Sequence, residues 1–105
     1  MTVQLSDIQD ARRLLDGIIN KTPVVEDSRL AKETGTNVFL KAESMQKSGS
    51  FKIRGAYNTI SRLSDEEKSR GVIAASAGNH AQGVAYAAQL LGVKSTIVLP
   101  VHAPL

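Results

Sequence analysis

Cysteine is absent from the sequence, so neither a disulfide framework nor a thiolate metal site is available. Charge of one sign is scarce too: 13 Lys and Arg stand against 10 Asp and Glu, a formal +3, with the signs interspersed, as between Asp65 and Arg70. That excludes the basic stripe on which nucleic-acid binding rests. No apolar run approaches membrane length, and the first residues lack a basic-then-apolar leader pattern, so no membrane partner is expected and a reducing cytoplasmic location is the default expectation. Proline and glycine number only 3 and 8 while 42% of residues are hydrophobic, which excludes a disordered or fibrous chain and points to a packed core. The 105 residues suffice for one modest domain, not for the two-domain body in which most cofactor enzymes enclose a substrate.

Hydrophobic periodicity divides the chain. A helix is expected over 7–19, with Ile8, Ala11, Leu15 and Ile18 on one face and Ser6 and Gln9 at capping-box spacing. Gly17 weakens its last turn and the 20–23 segment ends it. A short extended stretch around Val24 and Val25 follows, then a polar segment ending at Gly35. Residues 37–41 read as a strand whose apolar triplet Val38, Phe39 and Leu40 suggests burial on both faces. The polar segment 43–49 reads as a loop. Over 50–63 the helical stripe returns through Ile53, Ala56, Tyr57, Ile60 and Leu63, and Ser64 with Glu67 caps a short helix before Gly71.

The last third is the clearest. Residues 72–75 form an apolar strand, 79–91 a helix packed through Val84, Ala85, Ala88 and Leu91, and 95–99 a β-branched strand stopped by Pro100. Strand, helix and strand at this spacing make a crossover unit with parallel strands and helices on both faces, so the fold class is α/β with a partial open sheet. Ligands of such sheets sit beyond the carboxyl ends of the strands. Ser76, Ala77, Gly78, Asn79 and His80 lie there, leading into a helix whose free N–H groups favour anions.

Two segments can carry chemistry. In Ser48-Gly49-Ser50-Phe51-Lys52-Ile53-Arg54-Gly55-Ala56, the positive end of a helix disfavours the ammonium form of Lys52 and favours the neutral amine that attacks an aldehyde. Equally, Lys52 reads as a solvated lysine at a frayed helix start. Gly55 costs helix propensity, which fits a close approach by another backbone or a cofactor ring. In Ser76-Ala77-Gly78-Asn79-His80-Ala81-Gln82-Gly83, backbone donors and the Asn79 amide suit a carboxylate or phenolic oxygen; a capped helix start is the plainer alternative. His80 is a general acid or base or a surface residue, and His102 has no companion. Gly78 and Gly83 lack the GxGxxG order and no Gly-Lys-Ser/Thr follows a glycine loop, which argues against dinucleotide and P-loop sites. Metal binding has no pattern behind it. Glu43, placed just after a strand, reads as structural.

Taken together these words resemble the fold-type II pyridoxal-phosphate enzymes, and within them the threonine and serine dehydratase branch. The matching words are Leu40-Lys41-Ala42-Glu43, Gln46, Gly49 to Ala56, and Ser76 to Gly83, with Thr22-Pro23 and Ile97 to Pro100 in support, so the resemblance spans nearly the whole chain. It implies pyridoxal 5'-phosphate as cofactor, carried by Lys52, which then acts as base on the α-carbon. Phe51 would pack near the cofactor ring and Asn79 would hydrogen-bond its 3-hydroxyl. Ser76, Ala77, Gly78, Asn79 and His80 would frame the carboxylate of a small hydroxy amino acid. The implied reaction converts L-threonine or L-serine to a 2-oxo acid and ammonia. Serine racemases are close relatives that typically carry Ser where this chain has Ala77, which disfavours racemisation.

Such enzymes are several times longer, and their later part supplies a glycine-rich phosphate loop and a Ser or Cys facing the pyridine nitrogen; beyond Gly83 this sequence has only Gly92 and no cysteine. The expectation is therefore a fragment of a homo-oligomeric parent enzyme. Residues 1–50 would belong to its larger cofactor domain and 51–105 would begin its smaller α/β domain. A non-catalytic fragment is the alternative to an enzyme that acts once its missing part is supplied.

Overall fold

The computed structural model describes residues 2–103. The chain runs α1 (Leu5–Leu15), β1 (Val24–Glu26), α2 (Ser28–Thr34), β2 (Phe39–Lys41), two single 3₁₀ turns (Glu43–Met45 and Lys47–Gly49), α3 (Lys52–Ser61), α4 (Asp65–Arg70), β3 (Val72–Ala75), α5 (Asn79–Leu90) and β4 (Ser95–Val98). The described residues form two separate two-stranded sheets: β1 pairs antiparallel with β2, and β3 pairs parallel with β4 in the register Val72 to Ser95 through Ala75 to Val98. The strand, helix, strand unit with parallel strands is thus present as expected.

The core is where α3 crosses α5. Ile53 and Ala87 and Ala88 are completely buried, with Ala56, Ile60, Val84 and Val93 nearly so. Small residues on α5 let the helices approach, and the fully buried Ile53 contributes about 1.5–3 kcal/mol. Helix α4 begins with a closed capping box, Ser64 Oγ accepting from the Glu67 N–H at 3.2 Å while Glu67 accepts from the Ser64 N–H at 2.8 Å. The Ser64 backbone and hydroxyl hold the Glu67 carboxyl below its ordinary range.

Several local expectations change. The first helix ends at Leu15, because Gly17 takes a positive φ of 74°, and its capping box is Gln4 with Asp7, not Ser6 with Gln9. The polar segment before Gly35 is a helix, capped by Asp27, whose side chain accepts from the Leu30 N–H at 2.9 Å, and closed by Gly35 at φ 70°. Strand β2 is exposed rather than covered on both faces, Phe39 being 60% exposed, since its one partner among the described residues is β1. On α5 the inward residue is Ala87, and Ala85 faces out. The β3–β4 sheet is half-covered on one face only, with Ile73 73% exposed on the other.

Candidate active site

Lys52 opens α3. The chain reaches it through a sharp reversal in which Ser48 and Gly49 have φ of 61° and 69°, and the buried Ser50 hydroxyl lies 3.4 Å from the Lys52 N–H as acceptor. Lys52 Nζ rests 4.9 Å from the centroid of the Phe51 ring, a ring 56% exposed. Among the described residues, the Ser48 hydroxyl is a buried donor with no partner.

The second segment follows β3. The Ser76 N–H makes the last rung to the Val98 carbonyl at 3.0 Å, and the Ser76 hydroxyl accepts from the Gly78 N–H at 3.2 Å. No side chain caps α5, whose own ladder begins with Gln82 N–H to Gly78 O at 3.4 Å, so the first-turn N–H groups remain available. Ala77, Gly78, Asn79 and His80 are all exposed.

What joins the two segments is Gly83. A Cβ there would lie 2.9 Å from Lys52 Cβ, 3.0 Å from Lys52 C and 3.2 Å from Ile53 N, so α5 rests directly on the backbone that carries Lys52. Asn79 is four residues earlier and shares that face of α5. His80 aligns instead with Val84, and the two line a groove of about 460 Å³ with Gly55 and Thr59. Of the two approaches anticipated at Gly55, another backbone or a cofactor ring, the backbone approach is found at Gly83 instead; at Gly55 nothing beyond its chain neighbours and the backbone of its own helix lies within 4 Å of a Cβ.

Glu43, Thr22, Gln46 and Asn20, outside both segments, hold this arrangement through Arg54 and the turn before Lys52. Arg54 donates through Nε to Glu43 Oε2 at 2.9 Å and through a terminal nitrogen to Oε1 at 2.7 Å, and the Thr22 hydroxyl donates to Oε1 at 2.6 Å. The Arg54 fork, helped by Thr22, holds the Glu43 carboxyl down at about 2 despite the opposing effect of burial, and Glu43 in turn holds Arg54 above its ordinary range. Gln46 exchanges both amide hydrogen bonds with the Asn20 backbone at 2.9 Å. Sequence inspection assigned Glu43 a structural part but missed its partners; the signal was a guanidinium between inward Ile53 and Ala56 with a lone carboxylate 11 residues before it.

The sequence profile of the pyridoxal-phosphate dependent enzymes matches residues 15–105. The chain belongs to that family. Among curated members of this pyridoxal-phosphate family, it is 55% identical over 103 residues to an L-threonine ammonia-lyase of Thermotoga maritima, covering 98% of this chain and 26% of that protein. It is 53% identical over 103 residues to a catabolic L-threonine dehydratase of Staphylococcus aureus, covering 97% of this chain and 30% of that one. Of solved structures, a serine racemase from Dictyostelium discoideum superposes with a TM-score of 0.90 at 43% identity, over 99% of this chain and 34% of that one. The processed form of threonine deaminase isoform 2 from Solanum lycopersicum gives 0.80 at 42%, over 94% and 29%. The chain thus spans about a quarter to a third of the relatives it matches. Among the described residues no helix is long and apolar enough to cross a membrane, and no group of three or more His, Asp or Glu is placed to share a metal ion.

Proposed function

We propose that this chain is the lysine-bearing segment of a pyridoxal-phosphate-dependent ammonia-lyase that converts L-threonine or L-serine to a 2-oxo acid and ammonia. The observation that carries the reading is Gly83 seated on Lys52, which brings a primary amine and an uncapped helix N-terminus to one place. The residues fit the cofactor and substrate. A half-buried lysine suits an aldehyde, and the free N–H groups at the start of α5 suit a carboxylate. The loop for the cofactor phosphate is not in this sequence, so turnover is assigned to the parent protein. Its two parts fall on either side of the Lys47–Gly49 turn: residues 1–50 with the β1–β2 sheet in the larger domain, and 51–105 with the β3–β4 sheet in the smaller one, a division supported by the absence of pairing between the sheets among the described residues.

Bound pyridoxal phosphate supplies a sink for the negative charge that develops at the α-carbon. The chain supplies position and proton transfer. Lys52 Nζ would hold the cofactor, and its free amine would receive the α-proton. Phe51 would offer its exposed ring as a packing surface, and the Asn79 amide would donate to the cofactor's ring hydroxyl. In the Ser76 to His80 turn the N–H groups of Ala77, Asn79 and His80, which the backbone leaves unused, bind and orient the substrate carboxylate, so that proton removal starts from an aligned complex. Ala77 has no hydroxyl to serve the second face of the α-carbon, which supports elimination over a racemase-like reaction. The parent protein is read as a homo-oligomer, in keeping with the exposed apolar surface at Val24, Val25 and Phe39.

The test is release of 2-oxo acid from L-threonine and from L-serine by the parent protein and by its Lys52→Ala variant. Turnover that disappears in the variant is expected. Undiminished turnover in the variant, or none of either substrate by the parent protein, refutes the reading.

A further inference from the structure

Among the described residues the other ion pairs join positions five or fewer apart: Arg13 with Asp10, Lys21 with Asp16, Arg29 with Glu33 and Arg70 with Glu66. The Glu43 to Arg54 pair differs in joining separate elements, with side chains only 17% and 33% exposed. Its fork geometry fixes orientation as well as distance. Glu43 is itself immobilised from behind. Thr22, 6% exposed, donates to it; Lys41 Nζ donates to the Thr22 carbonyl at 2.6 Å; and Gln46, 4% exposed, ties the same turn to Asn20 and accepts from the Lys47 N–H at 3.0 Å.

Arg54 follows Lys52 by two positions, about 200° round the helix. The fork therefore grips α3 on the side away from Lys52, while Gly83 of α5 bears on Lys52 itself with no slack. Resting on the assignment of Lys52 as the cofactor lysine, we propose that Glu43 is a positioning residue for it, acting through Arg54 to fix the first turn of α3. An amine at the end of a four-carbon stem amplifies any tilt of its helix turn, and reactive groups tolerate only about 0.5 Å or 10–20° of error. Losing the fork frees a pivot on the one side of Lys52 that the α5 contact does not brace.

The test is reductive trapping of pyridoxal phosphate by borohydride on the parent protein, with peptide mass spectrometry reading the share attached to Lys52 against exposed Lys94. Wild type, Glu43→Gln and Arg54→Lys are compared at a temperature where circular dichroism shows each folded. The expected result is preferential labelling of Lys52 in wild type and a drop of about tenfold in that preference in both variants, with secondary structure unchanged. Folded variants that label Lys52 as wild type does overturn the positioning role and leave the cofactor assignment standing. A wild-type parent protein with no preference for Lys52 overturns both. If Glu43→Gln unfolds, Arg54→Lys and Thr22→Val carry the comparison; unfolding of all three makes the network a determinant of the fold, and the positioning role is refuted.

Discussion

Replacing Gly83 by alanine adds one methyl group at the tightest contact between α5 and α3. The new carbon would stand 2.9 to 3.2 Å from Lys52 Cβ, Lys52 C and Ile53 N, none of which is the free end of a flexible side chain. Ordinary carbon contacts need about 3.5–4.0 Å, so the helices must separate by roughly 0.5–1 Å. Both are anchored by the fully buried Ile53, Ala87 and Ala88, and overpacking of such a core costs about 1–3 kcal/mol. Alanine returns about 1 kcal/mol of helix propensity, leaving a net loss centred on about 1 kcal/mol, or a Tm lower by about 4–8 °C. Gly55→Ala is the control: it sits inside α3 with nothing beyond its own helix within 4 Å, so propensity alone acts and Tm rises by about 4–8 °C. Thermal melts followed by far-UV circular dichroism measure both. Equal shifts of the same sign, or a Gly83→Ala melt at or above wild type, would refute the idea that α5 is seated on Lys52 through this glycine.

Acid stability follows from Glu43, whose carboxyl is held at about 2 against an ordinary 4.5. Because the folded value lies below the unfolded one, the pair's contribution is complete above about pH 4.5 and is lost as pH falls towards 2. The shift corresponds to about 3 kcal/mol; denaturant melts across that window should decline steeply in wild type and more gently in Glu43→Gln. Ser64→Ala opens the capping box of α4 and is expected to cost about 1 kcal/mol, seen as faster hydrogen exchange in the 65–70 segment, while labelling of Lys52 stays as in wild type.

The helices legible in the sequence were those with an apolar stripe and, without any buried residue, α4, which was marked by its Ser64 and Glu67 capping box. Ile53, Ala56 and Ile60 on α3 recur at helical spacing because that face meets α5, and the same holds for Val84 and Ala88. Helix α2 left no such trace, since none of its residues is buried; its marks were the Asp27 and Gly35 caps, which hydrophobic periodicity does not weigh. The triplet at Val38 to Leu40 looks like a strand enclosed on both faces, yet Phe39 and Leu40 are exposed because enclosure depends on neighbours, not on the triplet. Of the candidate site, the two motifs were readable as words, and Lys52 and Asn79 stood out by their places at helix starts. The bonds that fix them were not, because Thr22 to Glu43 spans 21 residues and Glu43 to Arg54 spans 11. Contacts at such separations follow no period. The same is true of Gly83, whose need for a missing side chain arises from Lys52, 31 positions earlier in the chain.

The most direct test of Lys52 as the cofactor lysine is absorbance from about 300 to 500 nm after mixing the parent protein with pyridoxal phosphate, wild type beside Lys52→Ala. A stable band at about 410 nm in wild type that is missing from the variant is expected. A band of equal strength in both, or in neither, would contradict it.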